Sequence, residues 1–310
     1  MAVYDIIKGA LFLVLVVIGL PGNLLIMTIF SLILVSGSKL LLTEIMIAGI
    51  ALVNFILIIT RGLPATLLVL FNLNNLYGDT GCKFLIYSAR ISRSLAINLT
   101  CVLVCIQCIT LLPPTSNLTS FKPRLPRYIL AVCSLILMLN VLTEVIPFMY
   151  TVSKLNGTDV QYSFNFGYCI IAVPNAIIFF TFTFTYFFRD FTFVILMIIS
   201  SVIILQILFR HRIRLSNIRN NVQSQQTAAE VRAAKVVVAL VTMYVLFIGF
   251  ENTIFLYQIT VSTYIHRVVS DVRHFFSACY ATLFPTVVIM TNIRIKHALK
   301  CVFKGNQSSC

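Results

Sequence analysis

Charge is scarce in this sequence. Only 10% of its 310 residues are Asp, Glu, Lys or Arg, where soluble domains carry roughly 25%. Acids are the scarcer sign, 9 against 23 Lys and Arg. With 59% hydrophobic residues and a mean hydropathy of +0.99, the natural solvent of the chain is a bilayer. A formal charge of +14 suits nucleic acid only when basic residues cluster on a polar domain. The longest clearly polar stretch runs only from His211 to about Lys235, which excludes that partner. Catalytic patterns are missing too. His211, His266, His274 and His297 show no metal-ligand spacing. There is no Walker loop, no glycine-rich phosphate loop and no serine elbow. The sequence therefore implies no enzyme, no metal and no cofactor, and leaves binding as the default. A cleavable signal is also absent, because the apolar run after Met1 to Lys8 continues to about Leu34, beyond the 7 to 15 residues of a signal core. The first helix is expected to be retained.

What is present is a series of apolar segments. Crossing about 30 Å of hydrocarbon takes roughly 20 helical residues. Seven segments satisfy this, at about 7–34, 41–70, 84–112, 128–150, 184–209, 236–259 and 269–293, and the apolar stretch from Val173 to Phe188 allows an earlier fifth start. Their even spread implies one domain over 1–310. Short loops rich in Lys and Arg face the cytoplasm. Lys39, then Lys122, Arg124 and Arg127, then Arg210, Arg212, Arg214, Arg219, Arg232 and Lys235, and finally Arg294, Lys296, Lys300 and Lys304 all fall on one side. The C-terminus is then cytoplasmic and the N-terminus extracellular, as in a multi-pass plasma-membrane protein.

Sequons occur at Asn98, Asn117, Asn156 and Asn306, and only Asn156 lies in an outer loop, which makes it the expected glycan site. Of nine cysteines, Cys101, Cys105, Cys108, Cys133 and Cys279 lie in apolar segments and serve as small apolar side chains. Cys82, opening the third span, and Cys169, in the loop after the fourth, both face the oxidising side, which favours a disulfide over two free thiols. Residues 294–303 alternate cations with apolar residues, as in an amphipathic helix on the inner membrane surface, with Cys301 and Cys310 as acylation candidates. A plain solvated tail is the alternative.

Seven spans, an outer N-terminus and the Cys82 and Cys169 pair resemble the G-protein-coupled receptor superfamily, as does Gly22-Asn23 in the first span. Asn23 and Asn54 are expected to act as interhelical hydrogen-bond anchors rather than ligand contacts. The segment from Arg90 to Lys122 resembles vomeronasal type-1 receptors and their fish relatives, the olfactory receptor class A-related group. There Ile106-Gln107-Cys108 stands at the place of the Asp-Arg-Tyr motif, followed by Pro113-Pro114. Arg61-Gly62-Leu63-Pro64, Arg189-Asp190 with Phe193-Val194 and Met197, and Phe284-Pro285-Thr286 are similar to that group as well. The chain lacks the Trp usual in the family's second inner loop, which places it nearer the more variable fish relatives. Type 2 bitter taste receptors are the alternative, with a secondary transporter a remote one. The resemblance implies a chemosensory receptor for a small odorant or pheromone that activates a heterotrimeric G protein.

Ionisable groups in spans cost roughly 2.5 to 3.5 kcal/mol each and usually face the bundle interior. Arg90 and Arg93 share a helical face, and Arg61, Lys83 and Arg189 lie at similar depth, with Glu144, Asp190, Glu251 and Asp271 as candidate partners. Five cations facing four acids suggest an outward-opening pocket for a small organic anion, with Arg93 or Arg90 forking onto its carboxylate. The alternative is that these arginines only pair with Glu251 or Asp271. Arg61, Arg90, Arg93, Arg189, Glu251, Tyr257 and Phe276 form the candidate ligand set. At the inner end, Gln107, Arg212, Arg232 and Lys235 form a rim facing the G protein, and neutral Gln107 rules out an ion-pair lock there.

Overall fold

The computed structural model describes residues 3–71, 77–112, 124–154, 162–217, 224–261, 267–292, 294–296 and 298–299. Backbone polar groups within hydrocarbon must pair inside their own segment, and the apolar segments are helical accordingly. Helix α1 is Val3–Val35. Helix α2 runs Leu42–Leu57, widens into a π-helix over Ile58–Gly62 and resumes over Leu63–Phe71. Then come α3, Asp79–Leu111, and α4, Leu125–Thr143 with a last turn at Val145–Met149. Helices α5, α6 and α7 are Ala176–Asn217, Ser224–Val261 and Arg267–Thr291. Seven helical stretches, one in each of α1 to α7, are long and apolar enough to cross a membrane. The fold is an all-α seven-helix bundle.

Three helix starts lie well ahead of the span starts given by the sequence. Helix α3 begins at Asp79 rather than 84, after non-helical Gly78, and Asp79 places negative charge in the first turn where the helix dipole favours it. Helix α5 begins at Ala176, the earlier start that the apolar stretch from Val173 allowed, and Asn175 caps it: the Asn175 Oδ1 accepts the Ile177 N–H at 2.8 Å. Helix α6 begins at Ser224 rather than 236, well ahead of its apolar span.

Helix α3 occupies the centre, packed against α2, α4, α5 and α6, and α7 closes the bundle against α1, α2 and α6. Helix α4 is peripheral, and its Leu130, Leu135, Met138 and Leu142 remain exposed for lipid to cover. The α1–α7 seam is close. Asn23 Nδ2 donates to the carbonyls of Gly19 and Ala281 at 2.8 and 2.9 Å, and Thr282 Oγ1 donates to the Leu15 carbonyl at 3.1 Å. Asn54, expected to anchor a helix in the same way, is buried with neither amide atom hydrogen-bonded among the described residues.

Two prolines set the local breaks in the helices. Pro64 has no N–H for the Thr60 carbonyl, and the π turn over Ile58–Gly62 lies immediately before it, carrying Arg61 into the bundle. Pro147 likewise cannot serve Thr143, and α4 breaks at Glu144, whose carboxylate is buried. Between α4 and α5 lies a small antiparallel sheet of β1 (Thr151–Val152), β2 (Tyr162–Asn165) and β3 (Ile170–Val173), in the order β1-β3-β2. Thr151 pairs with Ile171 and Tyr162 with Val173. Gly167 turns the β2–β3 hairpin at φ 89°, a conformation that side chains disfavour. A disulfide between Cys82 and Cys169 fastens the hairpin to α3. Phe164 packs on Phe179 of α5 and Phe255 of α6, with ring centroids 5.1 and 6.1 Å apart.

Candidate ligand-binding site

Beneath the hairpin the bundle interior becomes charged. Arg93, at the middle of α3, is 2% exposed and joins three helices. Its Nε donates to Glu251 Oε1 of α6 at 2.6 Å, its Nη1 bonds Asp190 and the Tyr186 hydroxyl of α5, and its Nη2 donates to Asn252 Oδ1 at 3.3 Å. Arg90, one turn nearer the hairpin, pairs with Glu144 where α4 breaks. Arg189 reaches Glu144 at 3.4 Å and Asp190 at 3.3 Å, and donates to Ser94 and to Thr143. The ring of Tyr186 lies among Arg90, Arg93 and Arg189, 4.6, 5.1 and 4.8 Å from their guanidinium carbons. Across the bundle, Lys8 of α1 pairs with Asp271 of α7 at 2.7 Å, and the Tyr4 hydroxyl donates to the same carboxylate at 2.9 Å.

Of the two readings the sequence left open for the arginines, a ligand carboxylate or an internal acid, these bonds are of the second kind. Arg90 and Arg93, expected to fork onto a ligand, have their carboxylates already, as does Arg189. Glu251 serves Arg93, and its other oxygen, Oε2, has no hydrogen bond among the described residues. Lys83 stands outside the cluster, 5.9 Å above the Phe148 ring. Tyr257 is 54% exposed on the outer face of α6. Phe276 stacks on exposed Phe250 at 5.5 Å on the α6–α7 seam. Tyr257 belongs to the bundle's outside, and Phe276, half-buried in the seam, has ring contacts with Phe247, Phe250 and Phe275. Lys8 and Arg273 are the residues that sequence reasoning missed. Both had a visible signal, since each is an ionisable residue inside an expected span.

Arg61 and Arg273 remain. Arg61 is 3% exposed, and its Nη1 donates to a neutral group, Ser277 Oγ, at 3.1 Å. Arg273 is 2% exposed; its Nη1 donates to Gln258 Oε1 at 3.2 Å, and its guanidinium lies 4.4 Å above the Phe255 ring. Its Nε is 3.9 Å from Glu251 Oε1, beyond hydrogen-bond reach. Ser277 is one helical turn from Arg273, so the two arginines address one face of α7. The hairpin closes over them. The Phe166 ring stacks on His274 at 4.7 Å, and the buried Tyr168 hydroxyl has no hydrogen bond among the described residues. Burial pushes the Tyr168 phenol up to about 12, against the opposing pull of nearby Arg61.

At the other end of the bundle Gln107 is buried, and α5 and α6 continue beyond their apolar spans. Arg212, Arg232 and Lys235 lie on those extensions, with side chains outside the described residues. Glu44 caps the start of α2 and pairs with Arg294 at 2.7 Å, joining α2 to the segment after α7. Residues 294–296 and 298–299 of the expected surface helix are helical; Cys301, Cys310 and the sequon at Asn156 lie outside the described residues. Among the described residues no group of three or more His, Cys, Asp or Glu could hold a metal.

Comparison with known proteins adds a whole-chain match. The model of the vomeronasal organ pheromone receptor family matches residues 6–301. The chain is 34% identical over 296 residues to olfactory receptor class A-like protein 1 of Danio rerio, covering 95% of this chain and 92% of that protein. It is 29% identical over 300 residues to vomeronasal type-1 receptor 90 of Rattus norvegicus, covering 94% and 93%. It is 26% identical over 301 residues to vomeronasal type-1 receptor 1 of Homo sapiens, covering 95% and 83%.

Proposed function

The chain belongs to the vomeronasal type-1 receptor family, and from that premise we propose that it detects a small, negatively charged odorant or pheromone and relays it to a heterotrimeric G protein. Membership makes it a chemosensory G-protein-coupled receptor, a multi-pass plasma-membrane protein and not an enzyme. It also displaces the bitter-receptor and transporter alternatives. In the proposed reading the N-terminus and the hairpin face outside, where the disulfide is stable, and the basic loops face the cytoplasm.

The observation that supports an anionic ligand is the surplus of buried or, at Arg189, half-buried cations beneath the hairpin. Lys8, Arg61, Arg90, Arg93, Arg189 and Arg273 meet only Glu144, Asp190, Glu251 and Asp271 there, among the described residues. A ligand that binds better when the bundle is rearranged shifts that equilibrium. Arg93 holds α3 to α5 and α6, so a rearrangement near it is felt at the other end of both helices. There Gln107 and the cationic extensions of α5 and α6 would receive the G protein, together with inner-leaflet lipid around Arg294 and Lys296.

The test is a calcium and cyclic-nucleotide readout in cells expressing the full chain, screened with organic acids, amines and steroids. Acids are expected to raise the signal in receptor-bearing cells only. Responses confined to amines or neutral steroids would remove the anion preference, and silence to every class in cells with verified surface receptor would remove the coupling.

A further inference from the structure

We propose that the acid group of the ligand is held between Arg61 and Arg273, rather than by Arg90 or Arg93, in a subsite that α2, α6, α7 and the hairpin build together. The inference rests on the reading of the chain as a receptor for an anion and adds where the anion sits and what chemistry it carries.

Of the cations beneath the hairpin, the four others have carboxylates at hydrogen-bond distance: Lys8 has Asp271, Arg90 has Glu144, Arg93 has Asp190 and Glu251, and Arg189 has Glu144. Among the described residues Arg61 has none and Arg273 has only Glu251 Oε1 at 3.9 Å, beyond hydrogen-bond reach and already bonded to Arg93, yet both are buried as deeply as the others. An ion taken from water needs a partner or it is costly. Two such ions on facing helices carry one requirement, a negative charge brought from outside the chain.

The hydrogen bonds missing around them point the same way. Arg61 Nε, Arg273 Nε and Gln258 Nε2 are buried donors with no acceptor among the described residues, and His274 Nε2 and the Tyr168 hydroxyl are buried and unbonded beside them. Buried polar atoms are nearly always paired, so a cluster of unpaired donors describes the missing group. It is an acceptor with several lone pairs and negative charge, as in a carboxylate or a sulfonate, onto which guanidinium forks fit edge to edge. The surroundings add an apolar requirement. Phe255 lies under Arg273, Phe166 covers His274, and Tyr186 packs edge-on against Phe255. The ligand is therefore a small organic acid with an apolar body rather than a bare inorganic anion.

The Phe166–His274 stack lies over this cluster, so displacing it would open the subsite from the hairpin side. The disulfide at Cys169, three residues from Phe166, sets how far that strap can move.

The geometry makes a prediction of unusual sign. Removing a buried cation that has no carboxylate at hydrogen-bond distance relieves the empty protein, so Arg61→Gln and Arg273→Gln should each raise its thermal midpoint. The same changes should raise the half-stabilising concentration of an acid at least tenfold. The full chain, purified in detergent, is to be melted with benzoate, hexanoate and benzenesulfonate, with benzamide and hexanamide as neutral counterparts, and with sodium chloride and sodium sulfate at matched ionic strength. The expected result is that at least one organic acid raises the midpoint, its amide does not, and both glutamine variants lose the shift. Arg273→Lys, which keeps the charge without the fork, should lose part of it. A variant that melts lower than wild type or does not fold assigns that arginine a structural role and overturns the proposal. So do an undiminished acid shift in both variants, equal stabilisation by the amides, no stabilisation by any acid, or full stabilisation by chloride or sulfate alone. Failure of G-protein coupling reads differently: an acid that stabilises the protein through these arginines but gives no second-messenger signal leaves the subsite standing and removes only the signalling partner.

Discussion

Arg93 and Arg273 carry the same charge and nearly the same burial, yet their surroundings give opposite expectations. Arg93 neutralises Asp190 and Glu251 at once, so Arg93→Ala leaves two buried carboxylates with less cation between them. Breaking such a pair costs about 3 to 5 kcal/mol. Denaturation of the detergent-purified chain should show a loss of that order, and a change below about 1 kcal/mol would remove Arg93 from its place as the hub of α3, α5 and α6. The sequence showed that charges lay inside spans and named Arg61, Arg90, Arg93 and Arg189 among them. Which acid meets which cation depends on the rotation of each helix about its axis, and Glu144 meets Arg90 at the point where α4 breaks. Spacing within one segment does not encode that. Lys83 illustrates the point, since it lies one residue from Cys82 yet its charge rests over Phe148 at the rim.

The helices owe their contacts to a few residues that permit close approach. A Cβ at Gly22 would stand 2.8 Å from Pro285 Cγ, and a proline ring has little freedom to withdraw. Gly22→Ala should therefore push α1 from α7 and weaken the Asn23 bond to the Ala281 carbonyl, at a cost of about 1 to 3 kcal/mol. A thermal midpoint equal to wild type would contradict it. The Gly22-Asn23 pair was visible in the sequence as an interhelical feature, but its partner on α7 was not. The π turn of α2 and the break of α4 sit close to Pro64 and Pro147, where the sequence showed a charge inside a span, Arg61 and Glu144, but not the local change of helix that accompanies it. The sheet between α4 and α5 was illegible for another reason. Its strands are two to four residues long, and their register follows from the Cys82–Cys169 bond and the Gly167 turn rather than from alternation.

For the whole molecule the outstanding expectation is its orientation. An epitope fused ahead of Met1 should be stained on intact cells and one after Cys310 only after permeabilisation, and Asn156→Gln should abolish a glycosidase-sensitive shift in gel mobility. The reverse staining pattern would overturn the assignment of inner and outer ends. That seven helices exist, and at which end the basic residues gather, the sequence determined by itself. Hydrocarbon demands a continuous apolar helix for each crossing, and that demand is written in consecutive residues. Only the tertiary structure decided which of the buried cations are spent on carboxylates and which are left over. Electrostatic pairing is a matter of a few ångströms between helices far apart in the chain, as between Arg93 and Glu251 or Lys8 and Asp271. Arg61 and Arg273 stand out because the structure leaves them without a carboxylate at hydrogen-bond distance among the described residues, and composition alone treats all arginines alike.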